Sequence, residues 1–171
     1  MAVIRYASPG DEEEIVELGT STYVAHFGEL WSPAGLAAFL ADQFSIEQIR
    51  RELADGDAIR YVIAEREGEL VGFAKLLRDR PVTALEGERG LLLQKLYLRP
   101  KVTRQGIGSV LLDAVFGIGE AIGEQRVWLD VLRSNTGAIR LYERHGFVRR
   151  IELPWATDLR DIGMWVMTRL L

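Results

Sequence analysis

The sequence contains no cysteine and only two histidines, His26 and His145. Without thiols there is no disulfide, no thiolate metal ligand and no cysteine nucleophile, and two histidines leave little material for a transition-metal site. No stretch of about 18 uncharged apolar residues occurs, and the first residues reach Arg5 and then a run of carboxylates, unlike a signal peptide. We therefore expect a cytoplasmic protein with no bound metal and no membrane partner.

Linkers, low-complexity tracts and internal repeats are also absent from the 171 residues. A hydrophobic fraction of 48% with 27% charged residues is enough to bury one sizeable core, so we expect a single domain over residues 1–171. The isoelectric point near 5.3 and the lack of a concentrated basic stripe disfavour a nucleic-acid partner.

Charge is unevenly distributed along the chain, although the net charge is only −4. Residues 10–70 carry 14 acidic and 4 basic side chains, whereas residues 71–171 carry 11 acidic and 16 basic ones. The first segment therefore suits a cationic partner and the second an anionic one.

Five segments have helix start signals or the spacing of apolar residues by three and four that marks an amphipathic helix. Four of them begin with Ser or Asn as the expected N-cap, and the third resembles a capping box. The predicted helices cover residues 8–28, 32–42, 45–56, 107–122 and 135–146.

Seven further segments have the composition of β-strands, and the second and third are joined by a hairpin at Glu67-Gly68-Glu69. The order of these elements predicts an α/β (α+β) fold with a mixed, mostly antiparallel seven-stranded sheet flanked by helices. The predicted strands cover residues 2–6, 59–66, 70–77, 90–98, 127–132, 147–153 and 161–170.

A basic connection leads from the fourth strand into the helix that starts near Ile107. It contains Thr103-Arg104-Gln105-Gly106-Ile107-Gly108-Ser109, with two glycines at the helix start. The N–H groups of a first helical turn can bind phosphates, and glycine lets an anion approach closely, although Gly-x-Gly alone also fits an ordinary turn. The dinucleotide-binding fingerprint and the P-loop are excluded because Leu111 occupies the third glycine position and no Gly-Lys-Ser/Thr is present.

This segment resembles the Arg/Gln-x-x-Gly-x-Gly/Ala signature of the GNAT superfamily of acetyl-CoA-dependent N-acetyltransferases, with Thr103 in place of the usual Arg or Gln. Residues 135–147 are similar to the family's Asn-x-x-Ala-x-x-x-Tyr-x-x-x-Gly-Phe pattern, in the family's order. The resemblance covers residues 4–170, and residues 26–33 are most similar to the spermidine/spermine acetyltransferase branch. It implies two central strands that splay apart to hold CoA.

The resemblance also implies roles for the matching residues. The backbone of Leu96 and Leu98 would pair with the pantetheine arm, and the loop 103–109 would hold the pyrophosphate. Asn135 would contact the pantetheine besides serving as an N-cap, and Tyr142 would act as general acid toward the leaving CoA thiolate. The implied cofactor-binding residues are Leu96, Leu98, Thr103, Arg104, Gln105, Gly106, Ile107, Gly108, Ser109, Asn135 and Tyr142.

The sequence identifies the general base least well. Many relatives carry a carboxylate on the central strand, whereas residues 90–98 contain none and Gln94 occupies an equivalent position. Asp130 and Glu29 are the candidates for a proton relay from the amine. His26 titrates in a suitable range, but a lone histidine on a helix also fits a packing role.

The expected reaction is acetyl transfer from acetyl-CoA to a primary amine by direct attack, since no cysteine can form a covalent intermediate. The charge distribution favours a polyamine or another small cationic amine as the acceptor, with a peptide amine as the second choice. The alternative is a non-catalytic acyl-CoA-binding module, and a homodimer is left open. His145 is interpreted as structural, while Phe27, Trp31 and Phe44 either line an acceptor pocket or belong to the core.

Overall fold

Seven strands form one sheet in the order β1-β2-β3-β4-β5-β7-β6 in this computed structural model, which describes residues 2–171. Five helices connect them. The elements are β1 (Val3–Tyr6), α1 (Glu12–Phe27), α2 (Pro33–Gln43), α3 (Ile46–Ala54), β2 (Ile59–Arg66), β3 (Glu69–Pro81), β4 (Arg89–Leu98), α4 (Ile107–Ala121), β5 (Arg126–Leu132), α5 (Thr136–Arg144), β6 (Val148–Leu153) and β7 (Met164–Leu170).

The pairing within the sheet is mixed. β4 and β5 are parallel neighbours joined through α4, and every other pair of neighbouring strands is antiparallel. A parallel pair needs such a crossover because its two strands run in the same direction. The predicted mostly antiparallel seven-stranded sheet is therefore confirmed.

The helices cover the two faces of the sheet and build two cores. On one face, Ile15 and Leu18 of α1 and Ile49 of α3 pack with buried residues of β2 and β3. On the other face, Leu111 of α4 and Ile139 of α5 pack with the central strands. None of the helices in residues 2–171 has both the length and the apolar character that a bilayer span requires.

The helix caps agree with the sequence except at the first helix. Ser32 and Ser45 accept hydrogen bonds from the N–H groups three residues later, as expected of N-caps. The prediction that Ser8 opens α1 is wrong, because the helix begins at Glu12. The Asp11 carboxylate turns back to accept from the Ser8 N–H (2.7 Å) and from Arg5 (2.8 Å), which forms a turn before the helix.

Two strand boundaries also differ from the sequence prediction. β3 continues to Pro81, since an exposed antiparallel extension pairs Arg80 with Gly90 and needs no apolar face. β7 begins at Met164 and not at Asp161, because Gly163 has a positive φ of 77° that interrupts the strand. The first strand was predicted too short because its extension is polar, and the second too long because Gly163 interrupts it.

Candidate active site

A cleft separates the two central strands of the sheet. β4 and β5 pair only through Leu91 with Val127 and Leu92 with Trp128. Beyond Trp128 the two strands have no further pairing within residues 2–171, so their peptide groups on this side lack a strand partner. The splayed central strands that the sequence resemblance implied are therefore present.

The backbone of Leu96 and Leu98 faces this cleft. The Arg99 N–H donates to Val71 O of β3 at 2.9 Å, so the peptide groups of Arg99 point toward β3. Because successive residues of a strand point their peptide groups to opposite sides, those of Leu98 and Leu96 point toward β5. Leu98 O accepts only a long hydrogen bond from Thr22 Oγ1 (3.5 Å) among the bonds of the described residues.

A β-bulge interrupts β4 at Gln94. Lys95 pairs with Lys75 of β3, but the next pair joins Leu93 to Leu76, so Gln94 has no residue opposite it. The bulge reverses the alternation of side chains: Leu91 and Leu93 belong to the α4 core, whereas Tyr97 packs on the α1 side. The Gln94 side chain is exposed, at the level where β4 and β5 have separated.

The start of α4 lies at the open end of the cleft and presents unpaired amides. Gly106 is its N-cap with a φ of 82°, and no side chain caps the helix. Val110 is the first residue whose N–H bonds back, to Gly106 O at 3.1 Å. The N–H groups of residues 106–109 thus have no backbone acceptor in the part of the chain that the structure describes, which suits an anion.

Side chains of the preceding loop hold its shape. Thr103 Oγ1 donates to Pro100 O (2.9 Å), and the Gln105 amide donates to Lys101 O (2.8 Å) and accepts from Arg66 (2.6 Å). These two side chains are therefore engaged within the loop, and the predicted contacts of Thr103 and Gln105 with a cofactor would have to come from their backbone.

The basic residues around the loop are mostly neutralised. Arg99 pairs with Glu17 (2.6 Å) and Lys101 with Glu69 (2.5 Å). Arg104 is exposed and has no ion pair among residues 2–171, so it is the cation of this loop that remains for a ligand. Its φ of 64° belongs to the left-handed region, which shows how tightly the loop turns.

Gly108 has a packing role that the motif alone did not reveal. A Cβ at this position would lie 3.3 Å from Leu98 Cδ1 and 3.3 Å from Leu141 Cδ2. The first turn of α4 is therefore held tightly between β4 and α5.

Asn135 and Tyr142 lie on the other side of the cleft, at the start and in the middle of α5. Asn135 Oδ1 accepts from the Ala138 N–H (3.2 Å), so the residue is an N-cap, and its amide NH₂ is left as a donor. Tyr142 is only 8% exposed and packs edge-on against Phe147. Burial raises the pKa of the Tyr142 phenol, which therefore keeps its proton at neutral pH.

Tyr97 is a candidate that the sequence prediction missed. Burial raises the pKa of its phenol, and the neighbouring phenols of Tyr23 and Tyr142 raise it further. Tyr97 packs on the α1 face and Tyr142 on the α4 face, and no pairing between β4 and β5 closes the sheet at this level. Because of the bulge at Gln94, Tyr97 lies on the face opposite to Leu91 and Leu93, although strict alternation would put the three on one face.

Asp130 lies on β5, two residues beyond the last pair with β4. Its side chain keeps contact with solvent, yet partial burial desolvates the carboxyl and raises its pKa. Glu29 is exposed in the 3₁₀ turn after α1, and no hydrogen bond joins it to Asp130 within residues 2–171. The structure thus brings Asp130 to the cleft and leaves Glu29 on the surface of the turn.

The two histidines differ in their surroundings. His26 is exposed at the end of α1, beside Phe27. His145 Nδ1 lies 2.9 Å from Leu141 O at the end of α5, in keeping with its interpretation as structural.

The aromatic residues form a cluster on the α1 and α2 side. Trp31 donates to Tyr23 Oη (3.1 Å) and meets Trp155, from the segment between β6 and β7, edge-on. Phe27 packs on Tyr23, whereas Phe44 is buried beside Tyr97. Phe44 therefore belongs to the core, and Trp31 joins the connection between α1 and α2 to the segment between β6 and β7.

A second residue that the sequence did not single out is Lys95, which is 7% exposed. Its ammonium donates to Gln43 O (3.2 Å) and Gln43 Oε1 (2.9 Å) at the end of α2 and lies over the Phe44 ring. Burial and the facing Lys75 lower the pKa of Lys95 to about 8. Lys75 itself is paired with Glu52 at 2.8 Å.

Comparison with known proteins agrees with this geometry. Residues 19–147 match the model of the acetyltransferase (GNAT) family. An uncharacterized N-acetyltransferase of Lactobacillus delbrueckii subsp. lactis is 26% identical over 142 residues, covering 83% of this chain and 82% of that protein. The spermidine N(1)-acetyltransferase of Thermoplasma acidophilum is 25% identical over 147 residues, covering 84% and 86%.

The crystal structure of the PaiA N-acetyltransferase from Thermoplasma acidophilum, in complex with coenzyme A, superposes with a TM-score of 0.81. Its sequence identity is 22%, and the alignment covers 100% of this chain and 99% of that one. The chain belongs to the GNAT family of acetyltransferases, so the resemblance seen in the sequence is confirmed.

Proposed function

We propose that this protein transfers the acetyl group of acetyl-CoA to a primary amine. The observation that carries the proposal is the cleft between β4 and β5, which ends at the unpaired amides of residues 106–109. The peptide groups of Leu96 and Leu98 would pair with the pantetheine amides as a neighbouring strand does. The α4 amides and Arg104 would bind the pyrophosphate. The described residues therefore fit the cosubstrate.

In the reaction the amine nitrogen attacks the thioester carbonyl carbon, a C–N bond forms and the C–S bond breaks. Tyr142 donates its proton to the departing thiolate. Its phenol suits this role because burial keeps it protonated at neutral pH. The protonated amine must lose two protons. The first passes to Asp130 before the attack, directly or through water, and the second leaves the nitrogen as the C–S bond breaks and restores the Tyr142 phenol through water. The raised pKa of Asp130 makes its carboxylate a better base than an ordinary aspartate.

The acceptor that we propose is a small cationic amine, with a polyamine preferred over a peptide amine. Part of the charge asymmetry is internal, because Glu17, Glu52 and Glu69 pair with basic residues of the second segment. Asp130 and Glu29 have no ion pair within residues 2–171, and they can attract a cation toward the cleft. The similarity to a spermidine acetyltransferase supports the same choice.

The test is a screen of CoA thiol release across polyamines, aminoglycosides, amino acids and peptide N-termini. We expect kcat/KM for a triamine to exceed that for a monoamine of equal length, and the advantage to shrink as salt screens charges over about 10 Å at 0.1 M. Faster turnover of neutral or acidic amines at every ionic strength would contradict the polyamine proposal. Binding of acetyl-CoA without thiol release on any amine would favour a non-catalytic acyl-CoA-binding module.

A further inference from the structure

Hydrogen bonds bridge the open end of the cleft between the connection from α1 to α2 and the segment between β6 and β7. Thr157 Oγ1 donates to Leu30 O at 2.6 Å. The Ser32 N–H donates to Asp158 Oδ1 at 3.1 Å, and the Ser32 hydroxyl donates to Asp158 Oδ2. We call these four residues, Leu30, Ser32, Thr157 and Asp158, the clasp.

The two halves of the clasp come from opposite sides of the cleft. On one side α1 leads into it, and Thr22 of α1 donates to Leu98 O at the end of β4 (3.5 Å). On the other side the segment between β6 and β7 ends at Gly163, whose carbonyl accepts from the Arg133 N–H just beyond β5 (3.0 Å). Because α1 and α4 pack on opposite faces of the sheet, the clasp closes the α1 side and leaves the α4 side open.

The segment between β6 and β7 has a fixed shape of its own. Thr157 Oγ1 accepts from the N–H groups of Leu159 and Arg160, both at 3.1 Å. The Thr157 N–H donates to Arg160 O at 2.9 Å. These bonds form a closed turn that presents Asp158 to the start of α2.

The position of α2 depends on contacts at its two ends, because none of its residues, all of which the structure describes, is buried. At its C-terminal end the Lys95 ammonium donates to Gln43 O (3.2 Å). At its N-terminal end Ser32 caps the helix, and Asp158 holds the cap. An anion at the start and a cation at the end both favour the helix dipole. Loss of Asp158 would therefore release the first turn of α2 and leave its last turn in place.

The approach of Asp158 to α2 depends on a glycine. A Cβ at Gly35 would collide with the Asp158 carboxylate, 2.6 Å from its Cγ. Alanine is a better helix former than glycine, so Gly35→Ala would favour α2 itself while it pushes the carboxylate away. This substitution therefore separates the clasp from the stability of the helix.

Two tryptophans meet beside the clasp. Trp31 precedes Ser32 and meets Trp155 edge-on, with ring centres 5.9 Å apart. The Trp31 N–H donates to Tyr23 Oη (3.1 Å), and the Tyr23 phenol neighbours that of Tyr97 on β4. Both tryptophans are half-buried, and indole rings attract ammonium groups. The clasp therefore holds an aromatic pair at the α1 side of the cleft, and such a pair suits a cationic alkyl amine.

We propose that Asp158 is a positioning residue for the acceptor: the clasp holds Trp31 and Trp155 together across the α1 side of the cleft, and the unreacting ammonium group of a polyamine binds at this pair. The inference rests on the proposed acetyl transfer to a cationic amine. Acetyl-CoA would occupy the α4 side, where the unpaired amides of residues 106–109 lie, so the clasp should affect the acceptor and not the cosubstrate.

The first measurement uses the full chain and needs no activity. In amide hydrogen exchange, the Ser32 N–H should exchange about 10-fold faster in Asp158→Ala than in wild type, because it loses its acceptor. The Phe44 N–H, which donates to Leu40 O at the other end of α2, should keep its rate. In NMR spectra the indole N–H signals of Trp31 and Trp155 should shift, with those of Trp128 and Trp165 as references.

The second measurement is kinetic. Asp158→Ala should raise KM for a triamine about 10-fold, as the loss of a charge-assisted contact implies, with kcat and the acetyl-CoA affinity within a few-fold of wild type. KM for a monoamine of equal length should rise less, because it has no second ammonium for the aromatic pair.

Further variants separate the clasp from a general loss of structure. Gly35→Ala should raise KM for the triamine as Asp158→Ala does, although it keeps the carboxylate. Asp158→Asn should retain a KM near that of wild type, because its amide oxygen can still accept from the Ser32 N–H. The matched control is Asp161→Ala, in the same segment, whose exposed side chain makes no hydrogen bond or ion pair within residues 2–171.

Three results would overturn the proposal. The first is an unchanged exchange rate of the Ser32 N–H in Asp158→Ala and Gly35→Ala, since the clasp would then not exist in solution. The second is an unchanged KM for the triamine in both variants when the exchange rate shows that the clasp has opened. The third is an equal rise in KM for the triamine and the monoamine, which would exclude binding of the second ammonium at the aromatic pair.

Failure of the proposed function has a different signature. If wild type released no thiol with any amine, the acetyl-transfer proposal would fail, and the acceptor role of Asp158 with it. The exchange rates of Ser32 and Phe44 would still show whether the clasp holds α2.

Discussion

The two arms of the cleft are built in opposite ways. The arm formed by β4 and α4 has no carboxylate on its strand and begins its helix at a glycine, with no side-chain cap. The arm formed by β5 and α5 has Asp130 on its strand, a side-chain cap at Asn135 and Tyr142 on its helix. The first arm offers the unpaired amides of its helix start to a ligand, whereas the second has both predicted catalytic side chains, Asp130 and Tyr142.

This difference suggests that binding and proton transfer are divided between the arms. Backbone amides have fixed positions and do not change charge with pH, so they suit an anion that must be held throughout the reaction. Phenol and carboxyl groups can donate and accept protons, so they suit the chemical step. Substitutions on the two arms should therefore affect different kinetic constants.

The largest expected effect comes from Tyr142→Phe, on the second arm. Removing the hydroxyl should lower kcat by about 10²–10³-fold, in the range that general acid catalysis provides. The affinity for acetyl-CoA should stay within a few-fold, measured by calorimetry beside steady-state kinetics. Turnover of Tyr142→Phe at the wild-type rate would mean that another group is the general acid. Tyr97 is the first alternative, and Tyr97→Phe would test it.

Ser109→Glu, on the first arm, should lower the affinity for acetyl-CoA more than it lowers kcat. A carboxylate in the first turn favours the α4 dipole, so thermal stability should be kept or raised, while repulsion of the pyrophosphate should weaken acetyl-CoA binding by about 100-fold. Calorimetric titration measures this effect. The matched control is Ser109→Gln, which has similar size without charge and should bind within a few-fold of wild type. Unchanged affinity in Ser109→Glu would place the anion elsewhere.

Asp130→Asn tests the second arm at its strand. We expect kcat/KM to fall about 10-fold, and the acidic limb that belongs to Asp130 to disappear from the pH profile. In the wild type, activity should decrease as the pH falls through the raised pKa of Asp130, because the protonated carboxyl cannot accept a proton. Glu29→Gln is the control and should leave the profile unchanged. If the fall in activity at low pH is still present in Asp130→Asn, Asp130 is not the general base.

The same substitution has a consequence for stability. A carboxyl whose pKa is raised on folding favours the folded state at pH values below its unfolded pKa, and this contribution is lost as the pH rises. At neutral pH the ionised Asp130 therefore opposes folding. Asp130→Asn should unfold at an equal or higher temperature than wild type at pH 7, in a thermal melt followed by circular dichroism.

The smallest effect is expected from Asn135→Ala. Loss of the cap bond to the Ala138 N–H should cost about 1 kcal/mol of unfolding free energy, measured by urea denaturation. Ser45→Ala removes a comparable cap on α3, far from the cleft, and should cost a similar amount. If KM for acetyl-CoA rises in Asn135→Ala and not in Ser45→Ala, Asn135 also contacts the cosubstrate. If KM for acetyl-CoA is the same in Asn135→Ala and Ser45→Ala, Asn135 acts only as a helix cap.

The sequence predicted the elements whose signals are local. Caps at Ser32, Ser45 and Asn135 and the strand patterns around them reflect preferences of a few neighbouring residues, and the structure agrees with them. The prediction failed at Ser8, where the Asp11 carboxylate takes the Ser8 N–H and delays the helix. That competition depends on Arg5, which no cap rule considers.

The parts of the site that the sequence did not predict depend on contacts distant in the chain. Tyr97 and Lys95 face the α1 side only because the bulge at Gln94 shifts the alternation of β4. The basic character expected around the α4 loop is reduced because Arg99 and Lys101 pair with carboxylates of other elements. Periodicity and charge counts contain neither kind of information.

The close packing of Gly108 bears on the spacing of the two arms of the cleft. No ladder of hydrogen bonds fixes the separation of β4 and β5 beyond Trp128, so that width depends on the side chains wedged between the arms. Gly108 contacts Leu98 on one arm and Leu141 on the other, and a single added methyl would press on both. The hydrogen atom at Gly108 therefore acts as a spacer that lets α4 approach both β4 and α5, and a larger residue there would push the two arms apart.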